Sequence, residues 1–125
     1  MTELFEQLHT GIASWRDDQS NYSLIVKIKE YITVNQANPD LSLQHLSDEF
    51  GLSPRYVSKL FKETFGEKFV DYLTSIRIEQ AKLLLLKSAS SIQEIADQVG
   101  YTNAISFIRT FKRIVGQTPG EFRKT

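Results

Sequence analysis

The chain has no cysteine, which excludes a disulfide framework and any thiolate metal site. Its only histidines are His9 and His45. It contains no HExxH pair, no Ser/His/Asp grouping and no phosphate-cradling glycine loop. Catalysis, a bound metal and a cofactor are therefore not expected. No apolar run approaches the ~20 residues that a membrane span needs, and no signal-peptide pattern opens the chain. The expectation is a cytoplasmic protein without membrane contact. An excess of one charge is also missing, with 15 basic and 15 acidic residues. That balance argues against a nucleic-acid partner until the distribution is read. Residues 1–50 hold 8 acids and 3 bases, whereas residues 51–125 hold 7 acids and 12 bases. A local basic face can bind phosphates even on a neutral chain, although long-range steering is then weak.

What the chain does have is a stretch stated twice. Leu43-Gln44-His45-Leu46-Ser47-Asp48-Glu49-Phe50-Gly51 is followed by Arg55-Tyr56-Val57-Ser58-Lys59-Leu60-Phe61-Lys62 and Gly66. Ile92-Gln93-Glu94-Ile95-Ala96-Asp97-Gln98-Val99-Gly100 is followed by Ile105-Ser106-Phe107-Ile108-Arg109-Thr110-Phe111-Lys112 and Gly116. The turn glycines are 49 residues apart and the Phe-Lys pairs 50 apart, so the second copy carries one extra residue after its turn. Each copy reads as a short helix, a glycine turn and a longer helix, which is the helix-turn-helix pattern. A chain of 125 residues is one domain, or two very small ones sharing an element.

The local signals supply boundaries. Leu4, Leu8, Ile12 and Trp15 form a possible helical stripe, and Asp17-Asp18-Gln19-Ser20-Asn21 reads as a break. Ile25, Ile28, Tyr31 and Ile32 recur at helical spacing, and Asn38-Pro39-Asp40 ends that helix. Ser42 caps a helix over 43–50 with Leu43, Leu46 and Phe50 as its buried stripe, and Gly51 stops it. Ser53-Pro54 starts the next helix, which runs to about Phe65. Residues 69–87 form one long helix whose run Leu83-Leu84-Leu85-Leu86 predicts burial on more than one side, as suits a connector between two small units. Ser91 and Glu94 form a capping box. Thr102 or Asn103 caps the helix that follows, which runs to about Val115. Thr118-Pro119-Gly120-Glu121 opens a last short helix. No strand signal carries weight, so the expected fold is all-α, with about seven helices.

The two longer helices carry the candidate chemistry. In the first, Val57, Leu60, Phe61 and Thr64 make a core-facing stripe, while Arg55, Ser58, Lys59 and Lys62 share another face beside Tyr56. Arg and Lys match guanine O6 and N7 in the major groove and also neutralise phosphates. In the second, Phe107, Phe111, Ile114 and Val115 are the expected core contacts. Its outer face holds Ile105, Ile108, Arg109 and Lys112, with Arg113 adding a third cation. The two isoleucines either meet thymine methyl groups or pack against another part of the chain. The connector of about 19 residues spans ~28 Å, close to the ~34 Å between successive major grooves on one face of DNA.

Residues 24–123 resemble the DNA-binding domain of AraC/XylS-type transcriptional regulators. The resemblance is strongest through Ile92–Ala96, Val99-Gly100-Tyr101, Ser106–Lys112 and Gly116–Arg123. The earlier part follows through Leu43, Leu46, Phe50, Leu52-Ser53, Leu60-Phe61-Lys62, Gly66, Phe69, Tyr72-Leu73 and Arg77–Leu84. It implies two helix-turn-helix subdomains joined by a long central helix, with recognition helices 54–65 and 103–115 in successive major grooves. The division expected is a linker or helical extension at 1–23, a first unit at 24–66, a connecting helix at 67–88 and a second unit at 89–125. The implied contacts on double-stranded DNA fall on Arg55, Tyr56, Ser58, Lys59 and Lys62, and on Asn103, Ala104, Ile105, Ile108, Arg109, Lys112 and Arg113. Many members of that family have polar residues where this chain has Ala104, Ile105 and Ile108. RNA polymerase is a further implied partner. An upstream sensor or effector domain is implied as well, and the stripe at Leu4, Leu8, Ile12 and Trp15 favours a fragment of a longer regulator over a stand-alone member. A helical protein-interaction module is the competing reading of the same features.

Overall fold

A computed structural model of the chain describes the backbone of residues 12–125 and side chains from Tyr22 onward. Its elements are α1 (Ile12–Asn35), α2 (Leu43–Phe50), α3 (Pro54–Phe65), α4 (Phe69–Lys87), α5 (Ile92–Gln98), α6 (Ala104–Val115) and α7 (Pro119–Arg123). No strand occurs among the described residues, so the chain is all-α. It divides into two compact units, one up to Tyr31 and one from Ile32 onward.

α1 runs unbroken through Asp17–Asn21, where the sequence suggests an interruption. Those five residues include no glycine or proline, and their weak helix propensity costs only tenths of a kcal/mol each (roughly 0.5 for Asp, Asn or Ser). A polar run of this kind lowers helix propensity without stopping a helix. Leu4 and Leu8 of the proposed stripe lie outside the described residues. Further along α1, Ile25, Ile28 and Ile32 are buried and Tyr31 is half-buried.

Within the unit from Ile32 onward, α2 packs on α3, and α3 on α4. Ile32, Leu41, Leu46, Val57, Leu60, Phe61, Phe69 and Leu73 are buried there. Phe61 anchors an aromatic cluster, with ring centroids 4.4 Å from Phe65, 5.7 Å from Phe69 and 5.1 Å from Tyr72. Burial, and then the nearby Glu67 charge, push the Tyr72 phenol above its ordinary pKa. A second core joins Ile78, Ala81 and Leu85 of α4 to Ile95, Ala96 and Val99 and to Phe107 and Phe111 of α6. α7 closes that core, with Phe122 edge-on to Phe111 at 5.6 Å.

The connector is therefore shared end to end. Its N-terminal half serves the first core and its C-terminal half the second. That geometry corrects the expectation for the four leucines. Leu85 is buried and Leu84 half-buried, but Leu83 is 47% and Leu86 58% exposed. By Leu83 the helix has passed the first core, so among the described residues only the side toward the second core is covered.

Candidate nucleic-acid interface

Each candidate reading helix is aimed by caps that its own sequence supplies. In the first helix-turn-helix the Ser42 hydroxyl accepts the His45 N–H at 3.1 Å and starts α2. Gly51 ends it at φ 65°, a conformation costly for any residue with a Cβ, and the Gly51 and Leu52 N–H groups both reach back to the Ser47 carbonyl. Ser53 accepts the Tyr56 N–H at 3.1 Å, and Pro54 takes the first helical position of α3. With Val57, Leu60 and Phe61 buried, Arg55, Tyr56, Ser58, Lys59 and Lys62 are left exposed.

The second unit is built the same way. The Ser91 hydroxyl accepts the Glu94 N–H at 3.1 Å, and the Glu94 carboxylate accepts the Ser91 N–H at 2.7 Å. That backbone bond holds the Glu94 carboxyl below its ordinary pKa. The Asn103 side chain, not that of Thr102, caps α6 by accepting the Ser106 N–H at 3.1 Å. This use commits the Asn103 carboxamide oxygen and leaves its NH2 group as the donor available to a ligand. Phe107 and Phe111 are buried, and Arg109, Lys112 and Arg113 are exposed.

Two positions depart from expectation in the same way. Thr64 and Ile114, equivalent by the fifty-residue shift, are exposed, Ile114 at 43%. The fully buried stripe of each helix ends one turn earlier, at Phe61 and at Phe111, and the last turn meets the core only along one edge. Val115, like its counterpart Phe65, is half-buried. The two isoleucines separate. Ile105 is 66% exposed, whereas Ile108 is half-buried and packs, with Ala104, against the core of its own unit.

The electrostatics follow from what is missing on these faces. Among the described residues, none of Arg55, Lys59, Lys62, Arg109, Lys112 or Arg113 is held in an ion pair. α6 carries no acid at all, and α3 carries only Glu63. A cation without an internal carboxylate remains available to a phosphate or a guanine edge.

One structural residue was not singled out by pattern. Arg77 of α4 donates from Nε to the Gln36 carbonyl and from a terminal nitrogen to the Asn38 carbonyl, both at 2.8 Å. Its partners are main-chain oxygens, so no side-chain spacing reveals them. The only hint is a lone arginine between Ile76 and Ile78.

Two helix-turn-helix units on one connector, each turning a basic edge outward, define a double helix-turn-helix DNA-binding domain. A family model described as a helix-turn-helix domain matches residues 46–125, well over half of the chain. A Staphylococcus aureus protein named as an uncharacterized HTH-type transcriptional regulator is 38% identical over 122 residues, covering 96% of this chain and 16% of its own length. The chain thus spans about a sixth of that relative. The C-terminal domain of the two-component response regulator yesN from Fusobacterium nucleatum superposes with TM-score 0.79 at 38% identity, covering 81% of this chain and 98% of that one. A transcriptional regulator from Chromobacterium violaceum, described as containing an AraC-type DNA-binding domain, gives TM-score 0.68 at 27% identity, covering 82% and 94%. The chain belongs to the AraC-type helix-turn-helix family of DNA-binding transcription regulators. This is a family of regulators and not of enzymes. No helix among the described residues is long and apolar enough to cross a membrane.

Proposed function

We propose that this chain binds an operator with α3 and α6 in successive major grooves of one duplex. Arg55, Ser58 and Lys59 read base edges, with Tyr56 beside them, and Lys62 holds a phosphate. In the second unit Arg109 reads a base, and Ile105 meets a thymine methyl group. Ala104 and Ile108, partly committed to the core, contribute mainly shape. Asn103, Lys112 and Arg113 hold phosphates. The observation that carries this reading is the set of exposed cations on α3 and α6 that have no ion pair among the described residues. The 19-residue α4 is ~28 Å long, somewhat short of the ~34 Å groove repeat. Bending the DNA to meet it costs roughly 1–6 kcal/mol. The greater length of the relatives supports an upstream sensor domain in the parent regulator. Work in the cytoplasm and contact with RNA polymerase complete the proposal.

The competing reading, a protein-interaction module, draws on exposed Ile105, Leu83 and Leu86. Salt separates the two. Binding that rests on about six phosphate contacts has log K falling with log[salt] at a slope near −5. Affinity for duplex DNA that stays flat between about 50 and 200 mM salt would remove the DNA reading.

A further inference from the structure

Arg77 stands on α4 between Leu73, buried in the first unit, and Ile78, the first α4 residue of the second core. Three segments meet at its guanidinium. The first is the turn that leads into α2. There the Asn38 N–H bonds the Asn35 carbonyl at 2.9 Å, the Leu41 N–H bonds the Asn38 carbonyl at 3.1 Å, and the Asp40 N–H bonds the Asn38 side chain at 2.9 Å. Arg77 adds its two bonds to Gln36 and Asn38 and so fastens this turn to the connector. The second segment is α4 itself. The third is the turn of the second helix-turn-helix, where the Tyr101 ring centroid lies 5.8 Å from the Arg77 guanidinium carbon.

Gly100 makes this meeting possible. It sits at φ 103°, and a Cβ there would lie 2.7 Å from Arg77 Nε and 2.9 Å from the Gln36 carbonyl oxygen. The equivalent glycine of the first unit, Gly51, has open space where its Cβ would be. The second turn glycine is therefore held against the arginine. No carboxylate pairs with Arg77 among the described residues. Burial draws its pKa downward, and Tyr101 offsets this only in part. A half-buried cation bonded to main-chain carbonyls contributes geometry and not charge neutralisation. The planar fork of arginine can hold both carbonyls while one face lies toward the Tyr101 ring, and the single ammonium of lysine cannot reproduce that arrangement.

We propose that Arg77 is a positioning residue that fixes the orientation of the α2–α3 unit relative to the α5–α6 unit, and through it the spacing of the two DNA elements the chain reads. The spacing half of this inference rests on the two-groove reading above. The orientation half does not.

The two halves are tested separately. The chain has no native cysteine, so Lys62→Cys with Lys112→Cys carries two spin labels and no others. In free protein, pulsed dipolar spectroscopy should give one narrow distance distribution with Arg77 present. Arg77→Lys should broaden or displace it. An unchanged narrow distribution in a folded Arg77→Lys variant overturns the proposal. Arg77→Gln serves as a second variant, and loss of helical circular dichroism in both would mark Arg77 as a residue needed for folding at large, which also overturns the positioning role.

The DNA arm uses a duplex selected by the unlabelled wild-type chain from a random library, remade with the two elements moved closer or farther apart by about one base pair, where rigid bivalent geometry should cost the wild type about tenfold or more. Arg77→Lys should bind the original spacing more weakly and discriminate little among the spacings. A variant that keeps the wild-type spacing preference contradicts the inference. A wild type without any spacing preference removes the two-groove reading instead, and the label distances then decide the role of Arg77 alone.

Discussion

Arg55, Ser58, Lys59 and Lys62 of α3 correspond by the fifty-residue shift to Ile105, Ile108, Arg109 and Lys112 of α6. All four are polar and exposed in the first unit, whereas in the second one is an exposed apolar residue and another is half-buried in its own core. The turns differ in the opposite sense. Gly51 has open space around it, while Gly100 is pressed against Arg77. The caps differ too, since α5 opens on a complete capping box and α2 on Ser42 alone. The first unit therefore has the more polar outward face, and the second is more tightly tied to the connector. A duplicated frame can divide its work in this way, with base discrimination concentrated in one copy and anchoring in the other.

The largest expected contrast lies at the turn glycines. Gly51→Ala meets only the left-handed backbone penalty of about 1–2 kcal/mol. Gly100→Ala meets that penalty and an overpacking cost, about 2–5 kcal/mol in all. Urea unfolding of the two variants measures both, and equal losses would erase the distinction between the turns. Next comes DNA affinity. Arg55→Ala or Lys59→Ala should lose about 1–3 kcal/mol on a cognate duplex and relax base preference there, whereas Lys112→Ala should weaken all sequences alike and lower the salt slope by about 1. Equal losses on cognate and random DNA for the first two would reduce them to phosphate contacts.

A smaller effect separates the two isoleucines. Ile108→Ala should cost about 1–2 kcal/mol of stability, less than the full burial figure because the side chain is half-buried. Ile105→Ala should stay within about 0.5 kcal/mol. Thermal unfolding of the pair decides it, and a large loss at Ile105 would mean that it is a core residue. The smallest effect is at low pH. The Glu94 carboxyl titrates below its unfolded range because its oxygen accepts the Ser91 N–H. The stability it adds is complete above the unfolded carboxylate range and is lost as pH falls through the lower folded value. α5 should thus loosen at its start in acid while the Ser42 cap of α2 persists. An NMR pH titration of the Ser91 and His45 amides follows the two ends separately, and a Ser91 amide indifferent to acid would contradict the capping box.

The features legible in the sequence were the local ones. Ser42, Ser53, Ser91 and Thr118 cap the helices that begin beside them, because a cap needs only residues within one turn. Gly51, Gly66 and Gly116 end helices at positive φ for the same local reason. The turn residue Gly100 was also visible, but its contact with Arg77 was not. The rest depended on where neighbours stop. Thr64 and Ile114 continue an apolar-face spacing that the core does not reach, and Leu83 and Leu86 continue a run past the element that would have covered them. Periodicity reports which side of a helix is inward and says nothing about how far along the helix the neighbour extends. The outward cations could be read from spacing, while the split between Ile105 and Ile108 required the packed second core.

The most direct test of two reading helices on one duplex is a randomised-duplex selection with the purified chain, followed by sequencing. Two specified base clusters should be enriched, their centres about one helical turn, roughly 10 base pairs, apart, with the stronger constraint in the cluster lost on Arg55→Ala. Enrichment of a single cluster, or none, would contradict it.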